Sequence, residues 1–307
     1  MTRTPGYVGR FAPSPTGPLH FGSLVAAVAS WLDARAAGGE WHVRIEDVDA
    51  TRTVPGAEDE ILRALEALGL AWDGPVVRQR DRTSRYVEAI EALRLRGLTY
   101  RCRCSRREIA DSGLPGADGI VYPGTCRDAA VPATESGAER FRVRDETVAF
   151  EDRVQGRVAQ QLADDIGDFV LLRRDGLFAY QLAVVIDDAD LGVTDVVRGA
   201  DLLGSTPRQV ALQRALDLPT PRYLHVPVAT RAGEKLSKQT LAPAIDTAHG
   251  PAWIRAALAF LGQPGVEGDA AAPMLAQAAS CWDWRRIPRR TGVEAPDPAA
   301  MDGGGSR

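Results

Sequence analysis

Three segments hold residues whose types and spacing can do chemistry. The first is RFAPSPTGPLHFGS, residues 10–23, with three prolines, two glycines and His20. A stiff turn that enters a helix offers a phosphate unpaired N–H groups and the positive end of the helix dipole. Gly22 lets a ligand lie against bare backbone, and His20 can donate to a phosphate oxygen. The second is KLSKQ, residues 235–239, just after RAGE. Its two ammonium groups, Lys235 and Lys238, sit on a glycine-flanked loop that can close over a triphosphate and neutralise charge as pyrophosphate leaves. The third is Cys102 and Cys104 followed by Tyr122 and Cys126 in YPGTC. Thiolates two apart, with a third beyond a Gly/Pro loop, can converge on one ion, but zinc takes four ligands and no histidine lies nearby. Zinc, a three-cysteine site completed by water, and a free-thiol cluster all stay open; Cys281 reads as an ordinary thiol. Alone, each motif has a structural alternative: a Pro-rich loop with a core histidine, or a solvated K-x-x-K.

These groups need a frame. YVGRFAP predicts a strand entering the turn, and LVAAVASWLDARAAGG a helix stopped by Gly38-Gly39. WHVRIEDVD predicts a buried strand with charges at its C-terminal end. PGAEDEILRALEALGL and DRTSRYVEAIEALRLRG follow as helices. Strand, helix, strand, helix implies a parallel sheet. Residues 101–166 are rich in Gly, Pro, Asp and Arg, hold a hairpin-like FRVRDETVAFEDRVQGRV, and read as an insertion. The α/β pattern returns in DFVLLRRDGLFAYQLAVVIDDADLGVTDVVRGADLL, with PRQVALQRALDL as a further helix. The expected boundaries are 1–100 and 167–218 for two halves of a nucleotide-binding domain, 101–166 for the insertion, 219–295 for a helical region carrying the KLSKQ loop, and 296–307 for a disordered tail.

The 307 residues suffice for about two domains. No apolar run approaches 18 residues and no secretory h-region opens the chain, so a cytoplasmic protein without a membrane span is expected. The net charge of −4 does not announce nucleic-acid binding. Arginine clusters at 78–85, 101–107 and 285–290 are nevertheless candidate contacts for a polyanion.

His20-Phe21-Gly22-Ser23 resembles the HIGH motif of class I aminoacyl-tRNA synthetases, and KLSKQ resembles their KMSKS motif. The longer RFAPSPTGPLHFGS is similar to the opening of the glutamyl- and glutaminyl-tRNA synthetase branch, and the resemblance covers about residues 8 to 245. It implies an α/β Rossmann-type class I synthetase catalytic domain with a zinc-containing insertion and a small C-terminal, stem-contact-like helical region. It implies ATP with Mg2+ held by His20, Gly22, Ser23, Lys235, Ser237 and Lys238, with His20 and Lys238 catalytic. It also implies glutamate held by Arg10, Phe11, Ala12, Pro13, Ser14, Glu46, Tyr180 and Arg198. The residue types agree: planar guanidinium forks suit two carboxylates, Glu46 suits the ammonium, and Tyr180 adds a hydroxyl. One structural Zn2+ on Cys102, Cys104, Tyr122 and Cys126 is implied in the same way.

About seventy residues follow KLSKQ, too few for an anticodon-binding domain with its linker. A synthetase core standing alone is similar to the glutamyl-Q tRNA(Asp) synthetases. That likeness implies tRNA-independent activation of glutamate, transfer to queuosine in the anticodon loop of tRNA(Asp), and a monomer. The alternatives are a short glutamyl-tRNA synthetase charging a 3′ end and a non-catalytic tRNA-binding paralogue.

Overall fold

The computed structural model describes residues 6–116, 119–132, 134–236 and 243–296. The first half contains β1 (Val8–Phe11), α1 (Phe21–Ala36), β2 (Glu40–Ile45), α2 (Ala57–Ala67), β3 (Val77–Arg78) and α3 (Thr83–Leu95). Strands β1, β2 and β3 pair in parallel in that order. Eleven of the sixteen residues of α1 are buried, as expected of a helix that is apolar on most faces and packs between layers. In α2, Glu58, Asp59 and Glu60 complement the dipole of the first turn, while Ile61 and Leu65 form the buried face. The chain leaves α2 through Gly69 at φ 75°, where an added Cβ would stand 2.6 Å from that of Ala272. Glycine is required there for both conformation and space.

The middle segment builds β4 (Thr99–Cys102), α4 (Arg106–Ser112), the hairpin β5 (Leu114–Gly116) and β6 (Gly119–Val121), β7 (Ala138–Phe141), and the hairpin β8 (Thr147–Asp152) and β9 (Gly156–Gln161). The short α5 (Leu162–Asp165) and β10 (Val170–Leu172) close it. Strands β4, β7 and β10 form an antiparallel sheet with β7 central. The β8–β9 hairpin instead belongs to the second, mixed sheet.

That sheet has the order β11 (Asp195–Gly199), β12 (Arg222–Val226), β8, β9, and is reached through α6 (Tyr180–Asp190) and α7 (Thr206–Ala215). In it β11, β12 and β8 are parallel and β9 is antiparallel to β8. Its β11 runs beside β1, where the Thr194 N–H donates to the Val8 carbonyl at 2.9 Å. The C-terminal ends of β1, β2 and β11 therefore open on the same side. Beyond them lie β13 (Val228–Arg231), β14 (Glu234–Lys235), α8 (Gly250–Phe260), α9 (Ala271–Ser280) and β15 (Gly292–Glu294). Strand β13 pairs with both β14 and β15, and α8 and α9 pack on α1. One apolar cluster joins α1, α2, α8 and α9 through Leu24, Leu32, Trp41, Ile61 and Trp253; a second joins α3, α6 and α7 through Tyr86, Leu93, Leu182 and Leu212. Among the described residues no helix is long and apolar enough to cross a membrane.

Candidate active site

His20 is the N-cap residue of α1, with extended backbone. Its Nδ1 accepts from the Ser23 N–H at 3.4 Å, and its Nε2 lies 3.1 Å from Ser23 Oγ. A Cβ on Gly22 would stand 3.2 Å from the His20 ring and 3.8 Å from the Leu236 carbonyl oxygen. A side chain there would press the His20 ring, and the turn lies beside the chain just before Ser237. After that segment the chain returns to the same place: Ala244 bridges to His20, and the Ile245 N–H donates to the Leu19 carbonyl at 2.9 Å. The returning end of the KLSKQ loop is therefore fastened to the HFGS turn, while its leading end passes beside Gly22 and is held by the Leu236 N–H, which donates to the Ala229 carbonyl at 2.8 Å. Ser237 and Lys238 lie outside the described residues. Lys235 donates to Asp201 Oδ2 at 2.5 Å.

The other predicted residues gather where β1, β2 and β11 end. Phe11 turns its ring into the core, stacked 6.2 Å from Trp41, so only its backbone faces the turn. The stretch Ala12–Ser14 is pinned to the end of β2 by the Glu46 N–H, which donates to the Pro13 carbonyl at 3.0 Å. Glu46 accepts from Arg44 Nη2 at 3.1 Å. Burial pushes its carboxyl upward, against the pull of Arg44 and Arg10. Arg10 donates through Nε to Asp188 at 3.0 Å and through Nη1 to the Val197 carbonyl at 3.4 Å. Arg198 donates through Nε to His225 Nε2 at 3.0 Å and through Nη2 to Thr206 and Gln209, each at 2.8 Å. Its Nη1 is buried and has no partner among the described residues. Tyr180 opens α6; burial, then the charge of Glu46, pushes its hydroxyl up to about 12, while Arg198 and Arg10 pull the other way. Arg10, Glu46, Tyr180 and Arg198 thus share one electrostatic neighbourhood at the strand ends, the usual ligand position in open α/β sheets.

In the insertion, the Sγ atoms of Cys102, Cys104 and Cys126 all lie within 4.8 Å of one another. Cys104 and Cys126 are 3.5 Å apart, and Tyr122 Oη is 3.3 Å from Cys102 Sγ and 3.6 Å from Cys104 Sγ. Ligands at about 2.3 Å from a tetrahedral zinc stand about 3.5–3.8 Å from each other, close to these three separations. The Cys126 N–H donates to Tyr122 Oη at 2.8 Å, and the Arg140 guanidinium lies 3.9 Å from the Tyr122 ring centre. Burial pushes the phenol upward. The group can hold a metal ion.

The family of class I tRNA synthetases (E and Q), catalytic domain, matches residues 7–262. A glutamyl-Q tRNA(Asp) synthetase of Dechloromonas aromatica is 56% identical over 94% of this chain and 98% of that protein. One of Chromobacterium violaceum is 54% identical over 92% and 95%. A solved glutamate tRNA ligase from Elizabethkingia meningosepticum, in complex with its amino acid, superposes with a TM-score of 0.78 at 25% identity, over 95% of this chain and 67% of that one. The chain belongs to the glutamyl-Q tRNA(Asp) synthetase family of class I synthetases.

Several residues around this synthetase site escape sequence reasoning. Arg44 Nη1 donates to Asp188 Oδ1 at 2.5 Å, so Arg44 links the two carboxylates that flank the pocket. Asp187 collects Gln79, Arg82 and Tyr86 behind it. The available signal was charge inside otherwise apolar elements, in WHVRIEDVD and AVVIDDAD. The arginine clusters also need correction. Arg78 pairs with Glu58 at 2.6 Å, Arg80 with Asp47 at 2.8 Å, Arg82 with Asp187 at 2.5 Å and Arg85 with Asp190 at 2.9 Å. That first cluster faces carboxylates of the synthetase itself, so its charge is compensated internally. Arg103, Arg106 and Arg107 are exposed, as are Arg285, Arg286, Arg289 and Arg290.

Proposed function

We propose that this synthetase activates L-glutamate with ATP, without tRNA, and transfers the glutamyl group to queuosine at the wobble position of tRNA(Asp). The observation that carries the reading is Arg198 Nη1, a buried cationic donor with no partner among the described residues, beside Arg10, Glu46 and Tyr180. A buried unpaired donor costs free energy unless a ligand satisfies it. A pocket of two guanidinium groups, one carboxylate and one hydroxyl complements an amino acid with a second carboxylate. The names of the relatives support the same substrate and acceptor.

Catalysis on this reading is placement and charge compensation. The α-carboxylate attacks the α-phosphorus of ATP, the bond to the β-phosphate oxygen breaks, and pyrophosphate leaves with its electron pair. The phosphates lie over Gly22 and Ser23, with His20 donating to them; Mg2+ bound with the ATP neutralises part of their charge. We assign Lys235, Ser237 and Lys238 to the closing loop, with Lys238 against the departing pyrophosphate. Binding of ATP would draw Lys235 away from Asp201. The queuosine hydroxyl then attacks the carbonyl of the adenylate and AMP leaves. The exposed arginines at 103–107 and 285–290 are assigned to the anticodon-loop phosphates, and the same reading puts the protein in the cytoplasm with its tRNA. We assign zinc to Cys102, Cys104, Tyr122 and Cys126: three soft thiolates with one hard oxygen make a closed structural site without an open position.

The test is ATP–pyrophosphate exchange without tRNA, followed by transfer of labelled glutamate to tRNA(Asp) with and without queuosine. Exchange should depend on glutamate, and the label should require queuosine and survive removal of the 3′ CCA end. Label lost with that end would make the protein a 3′-charging synthetase.

A further inference from the structure

Asp152, His225 and Arg198 form a buried chain behind the pocket. Asp152 ends β8, and its Oδ1 accepts from three backbone N–H groups: Val154 at 3.0 Å, Gln155 at 2.8 Å and His225 at 3.2 Å. Its Oδ2 lies 2.6 Å from His225 Nδ1. Across the ring, His225 Nε2 is 3.0 Å from Arg198 Nε. Asp152 is 4% exposed, His225 0% and Arg198 5%. An arginine Nε–H has no lone pair to offer, so His225 Nε2 accepts and its proton sits on Nδ1, facing Asp152. Burial, against the hydrogen bond that Nδ1–H donates to Asp152, holds the imidazole down at about 4, so the ring is neutral at physiological pH. With Nε on His225 and Nη2 on Thr206 and Gln209, the plane of the Arg198 guanidinium is set by protein contacts, and Nη1 remains for a ligand.

We propose that Asp152 and His225 are positioning residues: together they select the imidazole tautomer that accepts from Arg198 Nε, and so aim Arg198 Nη1 at a carboxylate of the substrate. The proposal rests on the reading of Arg198 as a glutamate ligand. Attachment of the β8–β9 hairpin to β12 does not need the Nδ1–Oδ2 bond. The Arg153 N–H donates to the Tyr223 carbonyl at 2.9 Å, and Gln155 Nε2 donates to the His225 carbonyl at 3.0 Å.

Asp152→Asn tests this without a change of volume. The three backbone donors keep an oxygen at the Oδ1 position, so the new amide group must face His225 Nδ1. An amide N–H donates, which forces Nδ1 to accept and moves the ring proton to Nε2, donor against donor with Arg198 Nε. In ATP–pyrophosphate exchange the KM for glutamate should rise about tenfold or more, while the KM for ATP moves by less than about twofold. His225→Gln places a carbonyl oxygen near the old Nε2 position, an acceptor that needs no tautomer. It should keep most of the glutamate affinity, and adding Asp152→Asn to it should cost less than about threefold further. An Asp152→Asn enzyme with wild-type KM for glutamate, with both KM values raised alike, or with an effect that multiplies fully onto His225→Gln would overturn the proposal. If Asp152→Asn does not fold, His225→Leu against His225→Gln reads the same contact: glutamate affinity lost in the first and kept in the second supports the relay, and equal loss sinks it. A wild-type enzyme without glutamate-dependent exchange would instead refute the substrate reading itself.

Discussion

At Glu46 two opposing influences meet. Burial favours the neutral acid, while Arg44 and Arg10 favour the carboxylate, and burial wins. A substrate ammonium would bind the ionised form, so binding draws its pKa back down. A carboxyl raised in the free enzyme therefore binds at full strength above its raised pKa, and affinity is lost as pH falls through it. The expected result is an acid limb in kcat/KM for glutamate at a pH above the ordinary glutamate pKa of about 4.3. Glu46→Gln should abolish that limb and cost about tenfold or more in affinity at neutral pH, as for loss of a hydrogen bond to a charged group. A pH profile shared by wild type and Glu46→Gln would assign the limb elsewhere.

At the scale of elements, the insertion is the part with the least apolar material of its own. Its local cluster is Cys102, Tyr122 and Cys126, with Tyr100, Cys104, Ile109 and Val131 against them. Such a small cluster gains little from burial, and a bound ion would replace the missing core. Protein purified without chelator should carry about one zinc per chain, and Cys102→Ser should lose it. The chain between 103 and 135 should then become protease-sensitive while the parallel sheets stay folded. Metal analysis that finds no zinc in unchelated protein would leave only a thiol cluster.

At the scale of the whole molecule, Asp33 joins parts distant in sequence. It lies in the last turn of α1, 4% exposed, and accepts from the Tyr7 hydroxyl at 2.6 Å, from Arg153 at 2.5 and 3.0 Å, and from Trp282 Nε1 at 2.9 Å. The first strand, the β8–β9 turn and the C-terminal segment converge on this carboxylate. Asp33→Ala would leave Arg153 without its main partner beside the Trp284 ring. A loss of about 2–3 kcal/mol is expected in urea unfolding, somewhat below the roughly 3–5 kcal/mol of a fully buried pair because Arg153 stays partly exposed. A change below about 0.5 kcal/mol, the scale of surface substitutions, would show that these regions are held by apolar packing alone.

What could be read without coordinates was local. The HFGS turn, the KLSKQ loop and the Cys-Arg-Cys spacing each place their chemistry within a few residues, where turn geometry and chain connectivity decide proximity. The alternation of strands and helices was legible for the same reason, since hydrophobic period and glycine stops act within one element. The parallel arrangement followed from that order of elements and agrees with the pairing of β1 with β2 and of β11 with β12. Charges that hold the pocket were not legible. Arg10 meets Asp188 across 178 positions, Arg44 meets Asp188 across 144, and His225 meets Asp152 across 73. The sequence shows Arg10 as a substrate contact and the other charges inside apolar elements, but it does not show which carboxylate each of them meets. Only the stacking of β1, β2, β11, β12 and β8 side by side takes them out of water together, and in that setting each charge must find its opposite. The same sheet order explains why the arginines at 78–85 are matched by carboxylates of α2 and α6, and why Arg198, whose other nitrogens meet His225, Thr206 and Gln209, keeps Nη1 buried with no hydrogen-bond partner among the described residues.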